Sequence, residues 1–321
     1  MKLPKELVFG LFAIILFACN KSEKGTIIIK NDGAVFSAIK GQKSKAQSII
    51  LSNPTDKLNE VSLEITGVNK TFFKVETTLP ETIEKDSNPK ILLHFVPDEN
   101  FIGIAEADLI VHHNSKSKII FPLRGLSTKA LEGKNEPPLF DVVKTLNFDI
   151  NLGWTTLANN IKPELQGDEI PQTLFRKANS GLVEVIPVAR YSPPFELPYG
   201  YYIITDTLPV KYEVDILANS KLYPEHQTLF PALKSGNKTF DPKDIAFGFY
   251  TTSPSHDAYS EDIWNKKLFK KHAAHACRIY AVKDVEGNLV ENQYLVCFEE
   301  AKNGDYQDYV FLVKNIKPVS L

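Results

Sequence analysis

The chain has 321 residues, 43% of them hydrophobic and 24% charged, enough for two ordinary domains with a core in each. Lysine and arginine total 37 against 39 aspartates and glutamates, a formal net charge of -2, so bulk charge gives no reason to expect nucleic acid as a partner. Three cysteines are too few to mark a disulfide framework.

The chain opens on what reads as an export signal. Lys2 and Lys5 precede an apolar run from Leu7 to Ala18, too short to span a bilayer comfortably, and Cys19 follows at once. Leu16-Phe17-Ala18-Cys19 resembles the lipobox of bacterial lipoproteins, with the large Phe17 as its departure. The resemblance implies that residues 1–18 are removed and that Cys19 is acylated on sulfur, becomes the mature N-terminus and anchors the chain in a membrane. Asn20 rather than Asp follows the cysteine, so the same resemblance favours the outer over the inner membrane of a bacterial envelope. Residues 19–25 form a polar tether.

From 26 to 127 the pattern is a succession of short strands. Val61, Leu63 and Ile65 alternate with Ser62, Glu64 and Thr66 in the period of two that marks a half-buried strand. Further runs at 27–29, 48–51, 72–75, 91–96, 105–111 and 119–123 are separated by turn residues such as Asn53-Pro54, Pro97-Asp98 and His113-Asn114. This density predicts an immunoglobulin-like sandwich. The spacing of IILSNPTDKLNEVSLEITGV, FFKV, ILLHFVPDENFIGIAEADLIV and IIFPLRG, with Asn53, Pro97 and Gly125, resembles the abnormal-spindle/hydin type of Ig-like domain, also found in bacterial surface proteins as a choice-of-anchor module. That implies a spacer or interaction domain.

Residues 128–139 lose periodicity and contain Pro137-Pro138, which predicts an inter-domain linker. Residues 140–321 resume short strands, at 183–188, 201–205, 210–217, 246–251, 277–282, 293–298 and 309–313. Only Ser260 to His275 reads as helix, with Ser260 as cap and Glu261 and Asp262 in the first turn. The expected fold is all-β, an immunoglobulin-like sandwich followed by a second, jelly-roll-like β-sandwich with one short helix. The runs ARYSPPFELPYGYY, GNKTFDPKDIAFGFYTTSP, AYSEDIWN and RIYAVKDVEGNLVENQYLVCFEEAKNGDYQDYVFLVKNIKP resemble a secreted β-rich module of unknown biochemical function. It is related in its ending to modules carrying a more acidic D-x-D-Y-N-D-V-V-F motif. The resemblance implies a surface module rather than an enzyme.

Asp305 and Asp308 stand directly before the apolar run Val310 to Val313. Asn303-Gly304 is a turn signal, and Asp305 after it suits an Asx-turn that accepts backbone N–H groups without any ion. Asp308 is not explained that way, nor is the pair Glu299 and Glu300 that a hairpin returns to the same turn. Ca²⁺, which takes roughly six to eight hard oxygens, would use all four, joined by Asp262 from the helix. The resemblance to the acidic endings points the same way, although Gln307 and Asn303 replace an Asn and an Asp of that motif. Both readings stay open.

Cys277 and Cys297 are equidistant from Gly287, and a hairpin in that register pairs Ile279 with Leu295 and sets the thiols opposite each other, which permits a disulfide in an oxidising envelope. A bulge would break that register and leave two reduced core cysteines. His272, His275 and Cys277, with His256 and Asp257 upstream, carry zinc-ligand chemistry at a spacing that fits no common structural site. A basic solvated helix face, including Lys266, Lys267, Lys270 and Lys271, followed by a core cysteine is the simpler reading. Tyr199, Tyr201, Tyr259 and Trp264 are the candidate ligand-binding aromatics. In loops at one end of the sandwich they would stack on sugar rings while nearby Asp, Asn and Glu accept hydroxyl hydrogen bonds; the competing reading puts them in the core.

No Gly-x-Ser-x-Gly elbow, phosphate-cradling loop, His-Glu-x-x-His or Cys-x-x-Cys occurs. The expected function is that of a non-enzymatic, lipid-anchored envelope protein whose C-terminal sandwich binds a glycan or another surface component. The alternative is a structural or assembly lipoprotein whose Ig-like domain docks a protein partner. A third reading is a glycoside hydrolase using two acids from Glu299, Glu300, Asp305 and Asp308.

Overall fold

The computed structural model describes residues 28–29, 34–54, 56–157, 161–205 and 207–319. The expected signal, Cys19 and the tether lie outside these. Among the described residues no helix is long and apolar enough to cross a membrane.

The N-terminal domain is a sandwich of two four-stranded sheets. One runs in the order Ile28–Ile29, Gln47–Ser52, Lys90–Phe95, Phe73–Val75; the other runs Ala34–Ile39, Ser117–Thr128, Gly103–His113, Ser62–Thr66. Neighbours are antiparallel except Ala34–Ile39, which lies parallel to Ser117–Thr128. Alternate residues of the facing sheets, among them Ile49, Leu51, Leu93, Phe95, Leu109 and Val111, fill the core. Gly125 is a packing requirement, because a Cβ there would overlap the Phe95 ring. Asn53 is buried and donates its amide to the carbonyls of Asp56, Ile83 and Glu84 at 3.0, 3.2 and 3.1 Å, which holds the turn read from Asn53-Pro54.

The C-terminal module is a second β-sandwich. Its larger sheet runs Gln227–Leu229, Val183–Tyr191, Tyr309–Lys314, Leu289–Phe298, Cys277–Lys283, with Thr239–Phe240 also pairing with Val183–Tyr191. The smaller sheet runs Leu208–Leu217, Leu197–Thr205, Gly248–Thr252, Asp257–Tyr259. Between the two sheets, Tyr309, Phe311, Val313, Val296, Phe298 and Ile279 meet Tyr199, Leu217 and Phe249. The opposite face of the larger sheet is covered as well. There Val310, Leu295, Cys297, Tyr280 and Val282 pack against helix α1 (Leu139–Thr145) and against Leu126 of the Ig-like domain, with Val35 and Ile104 at the margin. Burial on both faces is why the run Val310 to Val313 is apolar without interruption, a pattern that a one-sided sheet would replace by alternation.

Helix α1 lies just beyond Pro137-Pro138. Its Leu139, Val142 and Val143 are spaced to present one apolar stripe, and all three are buried. The helix expected over 260–275 is shorter, α2 at Asp262–Leu268. The Asn265 amide donates to the carbonyls of Tyr259 and Ala274, at 2.9 and 3.1 Å, and folds the following segment back so that Ala273 and Ala276 enter the inner core. Ser260 does not cap it: its hydroxyl donates to Thr173 O and accepts the Phe249 N–H, both at 3.0 Å.

The disulfide expectation fails on register. Arg278, not Cys277, pairs with Cys297, and Cys277 pairs with Phe298, because a register shift between Ala281 and Lys283 leaves the pairing beyond it one residue off the count from Gly287. A one-residue slip turns side chains to opposite faces. Cys277 therefore faces the inner core and Cys297 the outer one, and both are free and buried. Unfolded, unreduced protein acylated at Cys19 should titrate with two free thiols; a count of zero would contradict the register.

Candidate functional site

The loop from 299 to 308 is built around a carboxylate. Glu299, at the end of Leu289–Phe298, accepts the Ala301 N–H at Oε1 (2.8 Å) and the Asp305 and Tyr306 N–H groups at Oε2 (2.9 and 3.5 Å). The acceptor role expected of Asp305 thus belongs to Glu299. Gly304 (φ 74°) and Tyr306 (φ 58°) take left-handed conformations. For Tyr306 this is strained, and its ring secures it: the hydroxyl donates to His275 O at 2.7 Å and the Arg278 guanidinium lies 4.7 Å above the ring.

The loop brings three acids together. Asp308 accepts the Glu300 N–H and Asp305 accepts the Asn303 amide. One oxygen from each of Glu299, Asp305 and Asp308 lies within 4.8 Å of the others, and the three residues are 0, 1 and 6% exposed. Among the described residues no Lys, Arg or His forms an ion pair with any of them. Desolvation, with the neighbouring Asp305 charge adding to it, pushes Glu299 up to about 7. Burial likewise raises Asp305, and raises Asp308 well above the carboxylate range. Asp305 Oδ1 and Gln307 Oε1 are buried with no hydrogen-bond partner. Gln307 Nε2 donates to Glu136 Oε2 at 3.4 Å, while Glu136 Oε1 accepts the Gln227 amide at 2.8 Å. Glu136, raised to about 7 chiefly by burial, is thus a fourth acid linked to the loop from the segment before α1.

Two expected members of the cation set stand elsewhere. Glu300 follows Glu299 directly and leaves on the other side, where the Tyr309 hydroxyl donates to it. Asp262 Oδ1 lies 3.0 Å from His275 Nδ1. That contact belongs to a buried network that the sequence reading missed: His275 Nε2 lies 3.1 Å from Glu169 Oε1, and Arg278, wholly buried, donates to Glu169 Oε2 and to Lys162 O at 2.7 Å. Glu169 sits in a stretch without periodicity, so only an arginine inside an apolar strand signalled that an acid must meet it. His272 stacks on His256 instead, 3.5 Å between ring centroids, and Cys277 lies in the inner core, so the His272, His275 and Cys277 set does not converge.

The candidate sugar-stacking aromatics are core residues. Tyr199, Tyr259 and Trp264 are buried, and Tyr201 lies half-buried between Tyr212 and Phe240, at 5.1 and 4.2 Å. The proline-punctuated stretch that carries Tyr199 and Tyr201 is a strand, Leu197–Thr205, with a register shift after Tyr199, so its rings serve packing rather than a loop surface. Concavities occur elsewhere, and one of them lies between the domains. A cleft of about 380 Å³ is lined by Ser37, Lys45 and Gln47 from the Ig-like domain and Glu225, Thr228 and Phe230 from the module. Lys45 Nζ donates to Glu225 Oε1 at 2.9 Å and lies 6.0 Å over the Tyr223 ring, while Ser37 Oγ accepts the Leu229 N–H at 2.9 Å. Phe230 is 43% exposed at the rim.

No family model and no curated protein matches the chain. Among solved structures it is similar to a protein of unknown function from Porphyromonas gingivalis (8% identity, 91% of this chain and 99% of that chain, TM-score 0.30). It is also similar to the CupB2 chaperone of Pseudomonas aeruginosa (10% identity, 72% and 97%, TM-score 0.25). A third likeness is to a family 123 glycoside hydrolase from Clostridium perfringens (12% identity, 34% and 24%, TM-score 0.27), of which the chain spans about a quarter. Likenesses at this level do not bear on function.

The His275 network has a pH signature. Burial alone would lower this imidazole's pKa, but the bonds to Asp262 and Glu169 outweigh it and hold it above its ordinary 6.5. A raised folded pKa adds stability that is fully present below the unfolded value and lost as pH rises through the folded one. The unfolding free energy of wild type minus that of His275→Gln should be about 1–3 kcal/mol at pH 5.5 and shrink towards pH 9. A difference that grows with pH would show that the imidazole is neutral in the folded state.

Proposed function

We propose that the chain is a non-catalytic, lipid-anchored protein of a bacterial cell envelope that displays its two sandwiches as one fixed unit and holds a surface component, such as a glycan, in the cleft between them. The observation that carries this reading is the inter-domain cleft: a concave site where polar side chains from both domains converge beside exposed Phe230. The domains are held around it by apolar packing of Leu126 on the module and by Ser37, Lys45 and their partners. Burial of Tyr199, Tyr259 and Trp264 takes these rings out of reach of a sugar. The non-catalytic half is supported by the closed setting of the acids with raised pKa values. A glycoside hydrolase needs its two carboxyls at a cleft with the sugar between them, roughly 5–9.5 Å apart, whereas Glu299, Asp305 and Asp308 crowd together out of solvent.

Folded mature protein should bind a subset of probes on a glycan array or pull down envelope material, and Lys45→Ala/Phe230→Ala should weaken that binding at least tenfold without lowering the melting temperature by more than a few degrees. Blank arrays and pull-downs with wild type would remove the binding half; undiminished binding by the variant would move it away from the cleft. The anchoring half is tested separately in cells, where Cys19→Ala should abolish fatty-acid labelling and release the protein from membranes. Labelling and fractionation left unchanged would contradict it.

A further inference from the structure

The acidic loop poses a charge problem that its own residues leave unsolved. Three carboxyls share a site that water does not reach, and no cationic side chain among the described residues pairs with them. Buried charges in proteins are paired or coordinate metals. Hydrogen bonds inside the loop occupy part of each carboxylate, yet Asp305 Oδ1 has no donor. An independent group has the same need. Gln307 is wholly buried, its amide lies close enough to the Asp305 carboxyl to steady that charge, and its Oε1 also has no donor. A neutral amide oxygen is not satisfied by its own titration; it needs a donor or a cation.

We propose that Glu299, Asp305, Asp308 and the Gln307 side-chain oxygen form a Ca²⁺ site that closes the 299–308 loop ahead of the last strand of the larger sheet. The donors are hard oxygens only, which excludes a zinc preference. The three carboxylate oxygens, within 4.8 Å of one another, fit a shell with metal–oxygen distances of about 2.3–2.6 Å, the calcium range. Buried carboxylate and amide oxygens from one short loop suit Ca²⁺, whose coordination is flexible, better than Mg²⁺, which demands near-octahedral geometry and gives up its waters reluctantly. The set differs from the one read in the sequence: Glu300 and Asp262 are committed to Tyr309 and His275, and Gln307 joins. Since Gln307 Nε2 donates to Glu136, the cation would also brace the segment that leads into α1 and the outer layer.

The test uses the full mature chain, stripped with EGTA at pH 7.5, and CaCl2 as the only added ligand. Calcium at about a hundredfold over its Kd should raise the melting temperature by roughly 5 °C, with MgCl2 at the same concentration giving much less. Terbium should bind the same site and luminesce on excitation of Tyr306 and Trp154, whose rings are 6.4 Å apart, and calcium should quench it by competition. Asp305→Asn/Asp308→Asn removes two charges from a crowded site, so it should fold without metal at least as stably as wild type while losing the calcium shift and at least tenfold in terbium affinity. Glu300→Gln, outside the shell, should keep both. An absent wild-type response in melt and luminescence, an equal response to Mg²⁺, or an undiminished response in the double variant would overturn the site. If the double variant fails to fold, the terbium titration of wild type against Glu300→Gln and Gln307→Ala decides, since only the latter should weaken.

Discussion

The larger sheet of the C-terminal module is buried on both faces, and this constraint shapes most of the molecule. Along Tyr309–Lys314, residues 309, 311 and 313 enter the core between the sheets, while 310 and 312 enter the core under α1 and the Ig-like domain. The central stretch of each strand has no solvent side on which to discard a polar residue, whereas the strand ends, with Glu291 and the Glu184–Lys314 pair, reach water. Consequently a charged group in that central stretch must be answered from within. Arg278 is answered by Glu169 and by two carbonyls of the 161–171 segment, and Arg190 by Ser192 and the carbonyls of Pro193, Phe195 and Ala218. Removing one partner of a buried pair such as Arg278 and Glu169 costs about 3–5 kcal/mol, because the other charge is stranded.

The same constraint sets the chemistry of the acidic loop. Glu299 leaves a strand whose two preceding residues, Cys297 and Phe298, are in opposite cores, so its carboxylate begins out of water and stays there. Its bonds to Ala301, Asp305 and Tyr306 give the loop a shape, and that shape gathers Asp305 and Asp308 around it. A turn explains one acid; the gathering of three in a dry site needs either protons or a cation, and the unpartnered Gln307 oxygen favours the cation. Glu136 extends this logic to the domain boundary, where the segment before α1 touches both Gln307 and Gln227.

Period-two strands in the Ig-like domain and the apolar runs at 277–282, 293–298 and 309–313 were legible because each carries enough alternating or continuous apolar residues to betray its faces. Short pieces such as Phe175–Lys177 and Gln227–Leu229 were not, since three residues carry no periodicity. Helix α1 was hidden because seven residues after Pro137-Pro138 look like the end of a linker, and only burial of its stripe makes it an element. The cysteine pairing turned on a register shift that counting from Gly287 does not register. Acids near Asp305 were legible as a cluster; which of them converge was not, because Glu299 and Glu300 part at a point where strand becomes loop. The cleft is made by residues almost two hundred positions apart, Ser37 and Thr228, and has no local signature.

Two-sided burial of the larger sheet is best tested by native-state hydrogen exchange on the full mature chain. The amides of Tyr309–Lys314 and of 293–298 should be the slowest to exchange, opening only with global unfolding, while the outer hairpin of strand segments 201–205 and 208–212 exchanges by local opening. Exchange of Tyr309–Lys314 at the rate of that hairpin would mean that α1 and the Ig-like domain do not cover the sheet, and would contradict the account.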